Sequence, residues 1–275
     1  MQTASATDRR IPALVLTCRI APPERRASAL AQLAGLSDLL RVEMVDGFID
    51  SDDSTLRLHD PVQERRWTRR PMTLREVATY GTHRCGWQRL IETGADHALL
   101  LEDDFILTDP AALRRLLENL PACMAPDVDM LKLFDFPDST SNGWALHREV
   151  AGETLLFPRY PKVGAVGYVL SARGAGKFLY RQTVFRPIDE DLRYYWELGL
   201  RVWTLARPLV RDGSATLGGS LLEEERKAFR PMRAAGGRLR FHLIGGHRRI
   251  RNLAAFATAC LRLKDVTLRR SWHRS

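Results

Sequence analysis

Residues 98 to 104 read Ala-Leu-Leu-Leu-Glu-Asp-Asp, an apolar run that ends in three consecutive carboxylates. A run of this length bounded by charge suits a strand buried on both faces, and open α/β sheets bind ligands at the carboxyl ends of their strands. Side chains alternate along a strand, so Glu102 and Asp104 point one way and Asp103 the other. Two converging carboxylates make a hard oxygen donor pair, suited to Mn²⁺ or Mg²⁺. The alternative for the triplet is a solvated acidic turn before the helix that Asp109-Pro110 opens.

Two further groups have spacings that chemistry can use. Glu76, Tyr80, His83 and Trp87 recur at helical intervals and share one face of a helix opened by Thr73-Leu-Arg-Glu76, which has capping-box spacing. Glu76 therefore has a structural use in the cap. His83 reads first as a hydrogen-bonded core histidine and second as a cavity-lining group. Asp189 follows Pro187-Ile188 before a helical pattern, where it is both a candidate proton acceptor and a candidate N-cap. Glu190 and Asp191 fit as first-turn acids favoured by the helix dipole.

Other chemistries lack their signatures. Gly174-Ala-Gly176-Lys177 has no glycine five residues before Gly176 and has Phe178 where Ser or Thr would follow the lysine, so a phosphate loop is excluded. Close packing is expected for these glycines and for Gly164-Ala-Val-Gly167. No Gly-x-Ser-x-Gly elbow occurs. Cys18, Cys85, Cys123 and Cys260 are far apart, which argues against a zinc site or disulfide framework and for a reducing cytoplasm.

The elements that must position these residues alternate between strand and helix, the pattern of an α/β domain. Strands are expected over 13–18, 41–45, 98–104, 130–134, 165–171 and 200–206. Helices are expected over 23–34, stopped by Gly35, over 73–93, stopped by Gly94, and over 110–120, 173–181 and 189–198. Residues 48–71 read as a polar loop, and no internal repeat is visible.

The chain of 275 residues, 45% hydrophobic and 27% charged, suits one large soluble domain, with or without an extension. No stretch reaches the roughly 18 apolar residues of a membrane span. The apolar run over 11–18 ends at Arg19 and reads as a first strand rather than a signal peptide. The net charge of +9 is uneven: after Glu225 fourteen basic residues face only Asp265, so the tail carries about +13 while the body is mildly acidic. Over 248–264 a helix would group Ile250, Leu253, Phe256, Ala257, Cys260, Leu261 and Leu263 on one face, with Arg248, Arg251 and Arg262 on the other. Such a helix suits an anionic membrane surface, the alternative being packing on the body. No nucleic-acid recognition motif accompanies the charge.

Taken in order, these segments resemble glycosyltransferase family 25, the lipopolysaccharide-type β-1,4-galactosyltransferase-like proteins, over roughly residues 12 to 210. The matching pieces are Leu14-Val-Leu-Thr17, Glu24-Arg-Arg26, Val45-Asp-Gly47, the stretch 73–79 with Thr82-His83 and Trp87, Leu101 to Asp104, Gly164 to Ser171, and Pro187-Ile-Asp189. Arg75 and Ala78 stand where the family has glycines around Glu76, Thr79 stands for its cysteine, and Ala21-Pro-Pro23 for its charged turn. These departures leave the metal motif intact and fall on the acceptor side.

The resemblance implies a GT-A-like nucleotide-sugar-binding fold with a mostly parallel central sheet, assigned to residues 1–212; it fades near Asp212-Gly213, and residues 213–275 read from their charge and pattern as a basic, partly helical extension. The same resemblance implies an inverting transferase whose metal motif is Leu101 to Asp104, and the oxygen ligands Glu102 and Asp104 suit a divalent cation, Mn²⁺ favoured over Mg²⁺. Arg25, Arg26, Glu76, His83 and Asp103 are then donor-binding and Asp189 the base. UDP-galactose is the leading donor, a saccharide or glycolipid the acceptor, and the setting is cytoplasmic, peripheral on the inner face of the membrane. Two other classes remain open: a metal-dependent nucleotidyltransferase or phosphodiesterase, and a non-catalytic membrane-associated polysaccharide-assembly protein.

Overall fold

The computed structural model describes residues 10–68, 70–136, 143–217 and 237–271. β1 (Ile11–Thr17) is apolar because it is covered on both faces, and it pairs in parallel with β2 (Leu40–Asp46) and β3 (His97–Glu102). α1 (Pro23–Leu33) makes the first crossover. It buries Arg25, Ala29 and Leu33, spaced one turn apart, and runs on into a 3-10 turn over Ala34–Leu36, so Gly35 does not stop the chain.

The stretch read as a polar loop contains α2 (Asp53–Leu58) and α3 (Pro61–Trp67). Asp60 caps α3 by accepting from the Val62 and Gln63 N–H groups, a signal that its neighbour Pro61 at the first helical position shares. α4 (Leu74–Thr93) begins with the expected Thr73–Glu76 capping box and ends at Gly94. It lies hard against the sheet at Gly86, where a Cβ would come within 2.6 Å of Leu16 and 3.0 Å of Leu100. That approach brings His83, one turn earlier, down to the end of β3.

β8 (Gly167–Ser171) lies antiparallel beside β3, β5 (Met130–Lys132) antiparallel beside β8, and β9 (Val202–Leu205) parallel to β5. The hairpin of β6 (Gly143–Val150) and β7 (Glu153–Pro158) joins through β7, and β11 (Thr267–Ser271) pairs with β6, giving the order β11-β6-β7-β9-β5-β8-β3-β1-β2. The sheet is therefore mixed, with parallel pairing confined to β2-β1-β3 and β5-β9. The expected mostly parallel pairing is interrupted at β8, which runs opposite to both of its neighbours, β3 and β5.

A separate two-stranded sheet pairs β4 (Phe105–Leu107) with β10 (Val210–Asp212). α5 (Pro110–Glu118), α6 (Leu120–Cys123), α7 (Ala172–Leu179) and α8 (Ile188–Asp191) fill the remaining connections, with a 3-10 segment over Leu192–Leu198. The helix anticipated at 248–264 belongs to α9 (Gly237–Arg262). Its apolar residues divide between two sides: Phe256 is buried while Ile250, Leu253 and Leu261 are exposed. Arg248, expected on the outer side, instead lies near the Tyr194 ring. Of the tail's basic residues, Arg226, Lys227, Arg230, Arg233 and Arg274 lie outside the described residues. Among the described residues no helix is long and apolar enough to cross a membrane.

The two glycines of α7 have opposite surroundings. A Cβ on Gly174 would sit 2.7 Å from the backbone oxygen of Asp129, whereas one on Gly176 meets nothing, so close packing explains only the first. Gly174→Ala should cost about 1 to 3 kcal/mol through overpacking. Gly176→Ala should instead stabilise the helix by about 0.5 to 1 kcal/mol. Urea unfolding midpoints of the two variants check both signs.

Candidate active site

A cleft opens at the carboxyl ends of β1 and β3. Its first lobe encloses about 790 Å³ out to the open mouth and is lined by Thr17, Arg25, Phe48, Arg75, His83 and Asp103 among others. A second lobe of about 600 Å³ is lined by Glu76, Phe136, Ile188, Asp189, Asp212 and Ser214 among others. Glu102, Asp104 and Thr79 line both lobes.

β3 stops at Glu102, and Asp103 and Asp104 form a turn rather than continuing the strand. Glu102 and Asp104 line both lobes, whereas Asp103 lines only the first. Asp103 is turned into the protein, where it accepts from the Thr17 hydroxyl at 2.6 Å and from Arg25 at 3.0 Å. The same Arg25 nitrogen lies 3.2 Å from Asp104. Arg25 also donates through Nε to the Leu217 carbonyl at 3.0 Å, which ties α1 to the chain beyond β10. Burial, reinforced by the charges of Glu102, Asp103 and Asp212 and opposed by Arg25, pushes the Asp104 carboxyl up to about 7.

His83 is satisfied on both ring nitrogens, and the direction of each bond follows from donor chemistry. The Trp87 indole can only donate, and it donates to the Tyr168 hydroxyl at 2.9 Å. The Tyr168 proton is then free for His83 Nδ1 at 2.8 Å, which leaves the imidazole proton on Nε2, donated to Glu102 Oε1 at 3.1 Å. Burial lowers the His83 pKa to about 4, with the charge of Asp189 pulling weakly the other way. The ring is neutral at physiological pH, a fixed donor to Glu102. Both readings of His83 therefore hold together: it is hydrogen-bonded in the core and it lines the cleft.

The other predicted residues separate. Glu76 closes the capping box, is paired with Arg70 through a bond of 2.7 Å, and borders the second lobe. Asp189 lies in the first turn of α8 and lines the second lobe, while Pro187 occupies the N-cap position without a side-chain cap, so the capping role is not Asp189's. Arg26 lines neither lobe and pairs with Asp46. Asp191 is a first-turn acid of α8, as expected; it is buried between Arg181 and Arg186 and accepts from the Tyr80 hydroxyl at 2.8 Å.

Two cleft residues were not anticipated. Asp212 reaches the second lobe because β10 pairs with β4, bringing it opposite Phe105 in register. Arg75 lines the first lobe and bonds Asp50 at 3.0 Å. The sequence signal for Asp212 is its Asp-Gly turn, two residues after Val210.

Among the described residues no group of three or more His, Cys, Asp and Glu side chains is gathered as a complete cation cage. The chemistry of the donors nevertheless fits a hard cation held by two carboxylates, since Mg²⁺-type sites commonly use one or two protein carboxylates and take the rest from substrate phosphate and water.

A mixed α/β domain with a carboxylate-lined cleft where its parallel strands end has the place at which open α/β sheets bind ligands. The family is given by the sequence itself. Residues 21–192 match the profile of glycosyltransferase family 25 (LPS biosynthesis protein), and the chain belongs to that family; it is a glycosyltransferase. The matched span contains Arg25, Glu76, His83, Glu102, Asp103, Asp104 and Asp189 and stops short of Asp212. A comparison with curated proteins returns no match.

The direction of the Trp87–Tyr168–His83–Glu102 chain is directly observable. Long-range proton–nitrogen correlation spectra should show His83 protonated at Nε2 and bare at Nδ1 from about pH 5 to 8, where a free histidine would titrate. Because the folded pKa lies below the unfolded value, His83 favours folding above pH 6.5, and this contribution declines as pH falls from 6.5 toward about 4. A normal titration near neutrality would contradict the assigned burial and tautomer.

Proposed function

We propose that the cleft carries out inverting transfer of a hexose, galactose being the leading candidate, from a UDP-linked donor to a hydroxyl of a cell-envelope saccharide or glycolipid. The observation that carries this reading is the position of Glu102 and Asp104 on both lobes. A diphosphate in the first lobe and an acceptor hydroxyl in the second meet at that boundary. Membership of a family named for LPS biosynthesis supports the envelope acceptor.

Each chain residue then has a defined task. Glu102 and Asp104 would hold Mn²⁺, or Mg²⁺, which when bound supplies Lewis-acid neutralisation of the departing diphosphate. Arg25 and Arg75 add positive charge to the donor lobe. Asp103 keeps Arg25 in place, and His83 fixes the Glu102 carboxylate. Asp189, on the acceptor side, takes the proton of the attacking hydroxyl as the bond to the anomeric carbon forms and the bond to the diphosphate breaks. Glu76, committed to Arg70 and the cap, shapes the acceptor wall.

Incubation with a panel of nucleotide sugars and Mn²⁺, read by both sugar transfer and nucleotide release, tests the reaction class. Nucleotide release coupled to glycoside formation is expected, with UDP-galactose the best donor. Cleavage at phosphorus without glycoside formation would favour a nucleotidyltransferase or phosphodiesterase.

Asp104→Asn should abolish metal-dependent UDP binding in calorimetry. Its fold should be kept, because the substitution removes a carboxylate whose ionisation burial and Glu102 already disfavour. Unchanged metal-dependent affinity would remove Asp104 from the ligand set. Asp189→Asn should lower turnover by roughly 10² to 10⁴ with donor affinity nearly unchanged, the range for loss of a general base. A donor-binding defect alone would move Asp189 to the donor side.

A further inference from the structure

α9 is amphipathic on two sides, and only one of them is used by the fold. Its inner side buries Ile244, Asn252 and Phe256, with Phe256 stacked on Phe157 at 6.4 Å and Arg251 over the Trp196 ring at 4.7 Å. Its outer side presents Leu243, Ile250, Leu253 and Leu261, which are 64, 68, 44 and 88% exposed. Their spacing follows the helical period, so they form one stripe along a helix about 39 Å long, with the exposed Ala254 and Ala257 between them. A row of four large aliphatic side chains facing water is not the scatter of single apolar residues that ordinary surfaces carry.

The charge around this stripe is of one sign. Arg249 borders it on one side and Arg240 and Arg262 on the other, and no acidic residue occurs in α9. Three kinds of occupant can be weighed against that arrangement. A second copy of the chain would bring two sets of arginines together with no acid on either helix to neutralise them. A nucleic acid would satisfy the arginines and leave the aliphatic stripe unused. An anionic bilayer satisfies both, because its headgroup phosphates meet the flanking arginines and its acyl boundary takes the stripe.

We propose that α9 docks the protein on an anionic phospholipid surface through the outer stripe Leu243, Ile250, Leu253 and Leu261. The lipid-facing side is thus distinct from the side that carries Phe256. The helix is joined to the cleft wall, since Arg248 lies 3.8 Å from Glu190, the residue after Asp189. Docking therefore holds the second lobe at a fixed relation to the membrane. Surface binding stands without the transferase assignment, whereas the delivery of an envelope acceptor to that lobe rests on it.

Sedimentation of the full chain with vesicles tests the docking without any measurement of activity. One vesicle is phosphatidylcholine alone and the other contains phosphatidylglycerol. The variants are Ile250→Ser with Leu261→Ser, and Arg249→Gln with Arg262→Gln, all at exposed positions, with circular dichroism confirming the fold. The wild-type chain should pellet with the anionic vesicles and not with the neutral ones, and each double variant should lose roughly tenfold or more in affinity. Binding that the serine pair leaves unchanged, or equal binding to both vesicles, overturns the proposal. So does a wild-type chain that ignores anionic vesicles but dimerises through the stripe in light scattering, or that binds duplex DNA instead.

Discussion

Carboxylates crowded at the end of a buried strand repel one another, and the cleft exists because Arg25 opposes that repulsion from inside the protein. Its guanidinium lies against Asp103 and Asp104 while its Nε holds the Leu217 carbonyl, so one side chain joins α1, the β3 turn and the chain after β10. The compensation is incomplete. Burial, with the charges of Glu102, Asp103 and Asp212 added to it, keeps Asp104 hard to ionise despite Arg25. Removing Arg25 would leave buried acids unpaired, a costly state, so its role in the fold cannot be separated cleanly from any role toward a ligand.

The inward face of α4 distributes further constraints. Glu76 is fixed by Arg70, Tyr80 by Asp191, and His83 and Trp87 by Tyr168 on β8. The Tyr80 contact matters beyond its own bond. Asp191 sits among Arg181 and Arg186, and Arg186 in turn pairs with Glu197, so this buried network sets the position of α8 and of Asp189 two residues away. The proposed base is thereby positioned from behind by groups that never face the cleft.

What the sequence made legible was local. The apolar run before Glu102, the Thr73–Glu76 capping box and the 76/80/83/87 face each depend on neighbours within a few turns, and all are present. Arg25 could also have been separated from Arg26, because only Arg25 shares the four-residue spacing of Ala29 and Leu33. Less legible was the β6–β7 hairpin. Its turn places Ala151 and Gly152 at positive φ, and Ala-Gly is not the Asn-Gly or Asp-Gly pair that announces such a turn. Asp212 was hidden for a different reason: it depends on pairing between two three-residue strands more than a hundred positions apart.

β11 has a consequence for how the chain is made. It covers the open edge of β6, yet it comes from residues 267–271, after α9. During synthesis β6 and β7 leave the ribosome more than a hundred residues before the strand that will cover them, and an uncovered edge is a template for pairing with other chains. The order of the sheet thus creates a period of vulnerability in the nascent protein. Shortening the chain at its C-terminal end would make that vulnerability permanent.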